Sequence, residues 1–196
     1  MRLLDIAQQK KILRSNLRKA RREHAANLPA EVSALVFKRP PVPVLDLIPD
    51  QATIGLYRAD TGEAPAAAYA RFFAEAGHTL ALPRITDLQS PMTFHVHTDP
   101  YDESDLEPGP MGLMQPAADA PLVEPEVLIM PLVGFTERGE RIGQGGGFYD
   151  RWLAAHPETV SIGLAWDVQK VDELPVEEHD ISLRAIITPT RLYGPF

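Results

Sequence analysis

The chain has no cysteine and no apolar run of membrane-spanning length, and each absence removes a class of function. Without thiols the protein has no cysteine nucleophile, thiolate metal site or disulfide, which fits a reducing compartment. No segment approaches the ~20 apolar residues that a membrane span needs. The first residues lack the apolar stretch of a secretory signal, and Asp5 and Glu23 argue against a transit peptide. We therefore expect a cytoplasmic protein with no membrane partner.

Basic residues are scarce beyond the start of the chain. Residues 1–24 hold eight Lys or Arg against two acids, whereas the remainder holds eleven against twenty-five, and the net charge is -8. A basic arm on an acidic body favours a small polyanion, or the protein's own acidic cleft, over a nucleic-acid backbone. With 196 residues and 44% hydrophobic composition, a single domain over residues 1–196 is predicted.

Residues 3–26 lack Pro and Gly and are predicted to form the basic N-terminal helix. Lys10, Arg14 and Arg21 lie on the flank of its apolar face. Such a stripe either points into a cleft or forms a solvated helix face, and the residues alone leave both open. The apolar face itself comprises Ile6, Leu13, Leu17, Ala20 and His24.

The segment RIGQGGGFYDR, residues 141–151, has four glycines within five positions. It lies between an apolar run at 127–133, predicted as a buried strand, and a predicted helix at 148–156. Glycines before a helix let backbone N–H groups converge on an anion such as phosphate. Arg141 before them adds a cation, and Asp150 after them adds an oxygen ligand for Mg²⁺. The alternative is a flexible surface loop.

This glycine-rich loop, predicted over residues 141–150, matches neither of two familiar phosphate loops. The chain has no G-x-x-x-x-G-K-[ST] order, and Phe148 stands where G-x-G-x-x-G requires its last glycine.

The remaining pattern alternates strands with helices. Strands are predicted at 52–57, 79–83, 127–133, 160–166 and 184–188, and helices at 64–76 and 148–156. Strand, helix and strand at this spacing predict parallel crossovers. The fold class is therefore α/β, a three-layer domain with a mainly parallel sheet.

The longer stretch PLVGFTERGERIGQGGGFYDR resembles the signature of the 5-formyltetrahydrofolate cyclo-ligases, also called methenyltetrahydrofolate synthetases. Ordered matches extend to the basic run at 10–14, Tyr57 with Glu63 six positions later, GPMGLMQP at 109–116, and LPVEEHDISLRAIIT at 174–188. The resemblance implies a sheet related to the sugar-phosphate isomerase and CoA-transferase group. It also implies conversion of 5-formyltetrahydrofolate and ATP, with Mg²⁺, to 5,10-methenyltetrahydrofolate, ADP and phosphate. A monomer is expected.

The resemblance also implies roles for individual residues, with Lys10, Arg14 and Arg141 in catalysis. For magnesium it implies Asp150 and Asp180, although Asp150 could instead cap a helix or pair with Arg151. For the folate it implies Tyr57, Glu63, Met111, Phe148 and Tyr149. For ATP it implies Lys10, Lys11, Arg14, Arg141, Gly143, Gln144, Gly145, Gly146, Gly147 and Tyr149.

Four residues depart from the family pattern, namely Met111, Thr136, Gln144 and Arg184. Related alternatives are a paralogue acting on another small substrate and a non-catalytic folate- or nucleotide-binding regulator. An RNA-associated protein using the basic arm is a further alternative. His95 and His97 share one face of a possible strand, where an exposed polar face is expected rather than a metal site.

Overall fold

The structure is a computed structural model that describes residues 5–33 and 35–196. Its helices are α1 (Ile6–Asn27), α2 (Ala30–Ser33), α3 (Val42–Leu45), α4 (Ala67–Glu75) and α5 (Phe148–Ala155). Its strands are β1 (Thr53–Gly55), β2 (Thr79–Arg84), β3 (Thr93–Val96), β4 (Leu106–Pro108), β5 (Met114–Pro116), β6 (Leu122–Val123), β7 (Val127–Pro131), β8 (Gly134–Phe135), β9 (Arg141–Ile142), β10 (Val160–Leu164), β11 (Ala185–Ile187) and β12 (Leu192–Tyr193). No helix in this part of the chain has the length and apolarity to cross a membrane.

Eight of the strands form the main sheet, in the order β12-β11-β10-β7-β1-β2-β3-β6. The five inner strands pair in parallel, and β12, β3 and β6 add antiparallel edges. The predicted mainly parallel sheet is confirmed, and the β1-α4-β2 unit has the predicted parallel pairing. The short pairs β4-β5 and β8-β9 form separate antiparallel ribbons.

Strand β7 lies in the middle of the sheet and separates two apolar layers. Val127 and Ile129 pack with α3 and α4 on one face, and Leu128 and Met130 pack with α5 on the other. These four side chains are fully buried. A strand covered on both faces needs apolar residues at every position, which explains the continuous run in the sequence. The predicted three-layer α/β architecture is confirmed.

Helix α1 starts after Asp5, whose side chain caps the helix by accepting a 2.7 Å hydrogen bond from Gln8 N. Residues 3 and 4 of the predicted helix lie outside the described residues. The predicted apolar face is partly wrong, because Ile6 is 41% exposed. The buried residues of α1 are instead Lys10, Leu17 and Arg21. Two of the three are cations, and both make ion pairs with acidic side chains of the body.

Candidate functional site

The glycine-rich loop leads from a ribbon strand, not directly from the central sheet. The sequence placed it after the buried strand, but β8 and β9 intervene, and Arg141 lies in β9. Gly145 has φ +104° and Gly147, the N-cap of α5, has φ +64°. Both conformations favour glycine, since a Cβ would be strained there. The loop therefore keeps its backbone accessible at the start of α5.

Arg141 and Asp150 form an ion pair across the base of the loop. Their Nη2 and Oδ1 atoms are 2.5 Å apart, and the Arg141 side chain is 3% exposed. Among the described residues, the buried Nε of Arg141 has no hydrogen-bond partner. A buried donor without a partner is costly, so this guanidinium retains capacity for an anion.

A second ion pair joins α1 to the segment before β11. Lys10 Nζ lies 2.5 Å from Asp180 Oδ2 and 2.7 Å from Glu177 Oε2. Burial opposes the charged form of Lys10, but the hydrogen bonds to Asp180 and Glu177 outweigh it and raise the Lys10 pKa. Burial likewise acts to raise the pKa of Asp180, whereas the bonds from Lys10 and Glu177 N lower it overall. Both groups are thus held in their charged forms at neutral pH.

Arg14 ties α1 to the glycine-rich loop. Its Nε donates to Gly143 O over 2.9 Å, and its guanidinium lies in van der Waals range of a Cβ built at Gly145. Arg18 Nη2 donates to the next carbonyl, Gln144 O, over 2.7 Å. In a trans peptide the carbonyl and the following N–H point in opposite directions. The N–H groups of Gln144 and Gly145 therefore point away from α1.

A chain of polar contacts continues from the loop to Glu63. Arg18 Nε donates to Gln144 Oε1 over 2.8 Å, and Gln144 Nε2 donates to Glu63 Oε1 over 3.0 Å. The same Glu63 oxygen accepts from Arg21 Nη1 over 3.2 Å. The side chains of Arg21 and Glu63 are 2% and 8% exposed. We call the run of Arg18, Gln144 and Glu63 the amide bridge, because a neutral amide separates a cation from an anion.

Two tyrosines adjoin this carboxylate. Burial and the Glu63 charge raise the pKa values of both Tyr57 and Tyr149 above the ordinary tyrosine range, so both hydroxyls stay protonated. Tyr57 is buried and donates its hydroxyl proton to Ala64 O. This bond gives Tyr57 a structural role within the chain. Tyr149 is only partly buried, so part of its surface remains available to a ligand.

The structure also describes the surroundings of the predicted residues Phe148, Gly146, Lys11 and Met111. Phe148 is partly buried, and the Arg151 guanidinium lies 5.0 Å from its ring centroid. Arg151 Nη1 also donates to Gly146 O over 2.9 Å. Lys11 is exposed on α1. Met111 belongs to a short 3-10 turn, Pro110–Gly112, and its side chain lies outside the described residues.

Three further residues that the sequence singled out have other surroundings. Thr136 is buried and donates to Glu140 Oε2 over 2.7 Å in the turn between β8 and β9. Arg184 is exposed beside the C-terminal Phe196. His97 was expected on an exposed face, which is wrong, because it is 5% exposed and its Nδ1 lies 3.0 Å from both Asp105 carboxylate oxygens.

The structure brings together most of the predicted cations, glycines and carboxylates, and it adds Arg18 and Arg21. One signal for these two residues is present in the sequence, because Arg14, Arg18 and Arg21 recur at spacings of four and three along α1. Arg21 was noted on the flank of the helix, but its burial depends on Glu63, which is distant in the chain. That pairing is a product of the tertiary fold.

A magnesium site built from protein ligands alone is not present in the described ranges, where no three His, Asp or Glu side chains converge. Asp150 and Asp180 are each engaged by a cation, Arg141 and Lys10 respectively. Mg²⁺ commonly uses one or two carboxylates together with substrate phosphates and water. The side chains of Asp150 and Asp180 are both partly exposed, so each carboxylate remains available for that mode of binding.

Comparisons with known proteins point to one family. A model described as the 5-formyltetrahydrofolate cyclo-ligase family matches residues 6–189. The 5-formyltetrahydrofolate cyclo-ligase of Escherichia coli (strain K12) is 43% identical over 99 residues, which are 47% of this chain and 54% of that protein. The chain thus spans about half the length of this curated relative.

Two solved structures are similar over nearly the whole chain. The 5,10-methenyltetrahydrofolate synthetase of Aquifex aeolicus has a TM-score of 0.69 and 25% identity, covering 93% of both chains. The 5,10-methenyltetrahydrofolate synthetase of Mycoplasma pneumoniae has a TM-score of 0.67 and 22% identity, covering 91% of this chain and 97% of that one. The second likeness shows the fold alone.

Proposed function

We propose, since the chain belongs to the 5-formyltetrahydrofolate cyclo-ligase family, that it converts 5-formyltetrahydrofolate and ATP to 5,10-methenyltetrahydrofolate, ADP and phosphate. One observation carries the proposal. A cation-lined glycine-rich loop and the buried carboxylate of Glu63 are joined by a direct hydrogen bond through Gln144. A phosphate donor and a pterin bound at these two places would be held side by side.

The loop and the cations around it are suited to the phosphates of ATP. The N–H groups of Gln144 and Gly145 point away from α1, and Arg141 retains a buried donor without a partner among the described residues. Arg14 uses Nε for its bond to the loop carbonyl, and within the part of the chain that the structure describes its two terminal nitrogens have no other hydrogen-bond partner, so they can bind phosphate oxygens. Arg–phosphate contacts are frequently bidentate, so two terminal nitrogens of one guanidinium suit a phosphate group.

Glu63 is suited to the donor edge of a pterin. Asp60 N donates to its Oε2 over 3.1 Å, which fixes the carboxylate plane on its own loop. A fixed, ionised carboxylate accepts two parallel N–H groups from a planar ligand. The partly exposed rings of Tyr149 and Phe148 supply apolar surface against which such a ligand can pack.

The reaction requires charge neutralisation and no protein nucleophile. The formyl oxygen attacks the γ-phosphorus, the bond to the ADP oxygen breaks, and an iminium phosphate results. The N10 amine then attacks the former formyl carbon, the carbon–oxygen bond breaks, phosphate leaves, and N10 loses its proton. Arg141, Arg14 and Lys10 would stabilise negative charge on the phosphate oxygens during the first step. A protein without cysteine can catalyse this sequence.

Asp150 and Asp180 would hold magnesium. When bound, the ion neutralises phosphate charge and orients the chain of phosphates. Each carboxylate would then exchange its present contact with Arg141 or Lys10 for the metal, which releases that cation toward phosphate. We further propose a monomeric, cytoplasmic, single-domain enzyme, and the cysteine-free composition supports the reducing compartment.

The test compares two arginine variants of the same ribbon. Arg141→Ala removes the buried guanidinium, whereas Arg138→Ala removes one whose side chain is 64% exposed. We expect kcat/KM for methenyltetrahydrofolate formation to fall at least about a hundredfold in the first variant, as for loss of one transition-state donor. The second should stay within about twofold of wild type. Activity of Arg141→Ala within a few-fold of wild type would remove the phosphate role from this residue.

A further inference from the structure

Within the glycine-rich loop, the stretch from Gly143 to Gly147 carries only one side chain larger than hydrogen, that of Gln144. This side chain contacts both halves of the proposed site, through Arg18 on one side and Glu63 on the other. The charges fix the orientation of the amide, since its oxygen faces the Arg18 cation and its NH₂ faces the Glu63 anion. Gln144 therefore contacts residues of both the proposed nucleotide site and the proposed folate site.

The amide bridge fills one oxygen of Glu63. Oε1 accepts from both Arg21 and Gln144, and a carboxylate oxygen offers two such acceptor positions. A donor edge with two parallel N–H groups needs one acceptor position on each oxygen. Arg21 is buried and anchored on α1, whereas Gln144 is exposed. Gln144 is thus the group that a bidentate ligand of Glu63 displaces.

The other end of the amide bridge is Arg18, a cation that lies close to other positive charges. Burial, with the neighbouring charges of Arg14, Arg21 and Arg22, lowers the pKa of Arg18. Like charges so placed raise the free energy of the cation, and a nearby dianion relieves it. Phosphates bound by the terminal nitrogens of Arg14, on the α1 side of the loop, would attract Arg18 away from the Gln144 oxygen. The amide then loses the partner that orients its NH₂ toward Glu63.

We propose that Gln144 is a positioning residue that occupies Glu63 in the absence of substrates and thereby couples folate and nucleotide binding. The proposal rests on the proposed function, because it assigns Glu63 to the pterin and the loop to phosphates. Nucleotide that draws Arg18 off Gln144 makes Glu63 available and tightens folate binding. By linkage, folate tightens nucleotide binding by the same factor.

Calorimetry measures the coupling factor, which is the Kd of 5-formyltetrahydrofolate alone divided by its Kd in the presence of nucleotide. The Kd of 5-formyltetrahydrofolate is determined alone and with a saturating non-hydrolysable ATP analogue and Mg²⁺. In wild type we expect the analogue to tighten folate binding about three- to tenfold, or about 0.7–1.4 kcal/mol at 1.4 kcal/mol per factor of ten. In Gln144→Ala we expect folate alone to bind about three- to tenfold more tightly than to wild type, and the analogue to change its Kd by less than about 1.5-fold.

A matched control is Gln89→Ala, which removes an exposed glutamine side chain from a distant loop. It should retain the wild-type coupling factor. A loop that is merely loosened by Gln144→Ala would weaken nucleotide binding without changing the ratio of the two folate Kd values. That result, or a wild-type ratio of one, would overturn the coupling.

The same preparations separate this inference from the proposed function. Wild-type protein that forms methenyltetrahydrofolate but shows no coupling overturns the inference alone. Wild-type protein that neither binds 5-formyltetrahydrofolate nor forms product overturns both.

Discussion

Replacing Arg21 with methionine is expected to destabilise the protein although the substitution keeps an unbranched side chain. Arg21 Nη1 lies 3.2 Å from Glu63 Oε1, and the two side chains are 2% and 8% exposed. Removing one member of a buried ion pair leaves the other charge uncompensated, which costs about 3–5 kcal/mol. Glu63 keeps hydrogen bonds from Gln144 and Asp60, so the lower end of that range applies.

A second effect reduces the loss. Among the described residues, Arg21 Nε is buried without a hydrogen-bond partner, and removing an unsatisfied donor returns about 1 kcal/mol. The net loss is then about 2–3 kcal/mol of the free energy of unfolding. In a chain of this size that lowers Tm by about 4–12 °C.

The assay is urea denaturation together with thermal melting, at neutral pH and without ligands. Lys19→Met is the matched control, because Lys19 is a cation of the same helix with 77% of its side chain exposed. It should change the free energy of unfolding by less than about 0.5 kcal/mol. The double variant Arg21→Met/Glu63→Gln removes both charges and should recover about 1–3 kcal/mol relative to the sum of the single changes. A loss for Arg21→Met no larger than that for Lys19→Met would show that the Arg21–Glu63 ion pair does not stabilise the fold.

Two further predictions concern the loop and the Lys10 ion pair. Gly145→Ala forces a side chain into φ +104° beside Arg14, so we expect the KM for ATP to rise at least about tenfold. Gly77→Ala is the control, because Gly77 has φ +87° and a Cβ added there would meet no atom within 4 Å. This variant should lose a similar amount of stability. Its KM for ATP should stay within about twofold of wild type, which is the usual scatter of surface substitutions. The pKa of Asp180 lies below its ordinary value of 3.8, so the stabilising effect of this carboxylate is present above pH 3.8 and is lost as pH falls through the folded-state pKa. The stability difference between wild type and Asp180→Asn, measured by urea titration, should therefore be larger at neutral pH than at acidic pH. A difference that grows on acidification would contradict this.

The sequence predicted the parts of the fold that have a strong local pattern. The uninterrupted apolar residues 127–133 have the length and composition of a strand covered on both faces, and β7 occupies Val127–Pro131. The ribbon of β8 and β9 was not predicted, because each strand has two residues and no periodicity develops over that length. The sequence pattern therefore predicted the glycine-rich loop directly after β7, whereas the loop follows β9.

The candidate site was likewise predictable only where its residues are neighbours in the sequence. The glycines and Arg141 are contiguous in sequence, so their proximity was predictable. The partners of Lys10, Arg18 and Arg21 lie far away along the chain. A basic stripe on a helix is usually solvated, and only the tertiary fold, which puts acidic side chains opposite α1, distinguishes a buried stripe from an exposed one. His97 illustrates the same limit, since its partner Asp105 reaches it from the following loop.

The most direct test of the account is product formation by the purified wild-type chain. Absorbance of 5,10-methenyltetrahydrofolate and release of ADP are followed together, starting from 5-formyltetrahydrofolate with ATP and Mg²⁺, with ATP alone, and with neither. We expect equal amounts of methenyltetrahydrofolate and ADP in the first mixture and no product when ATP or Mg²⁺ is left out. Hydrolysis of ATP without methenyltetrahydrofolate, or methenyltetrahydrofolate formed without ATP, would contradict it.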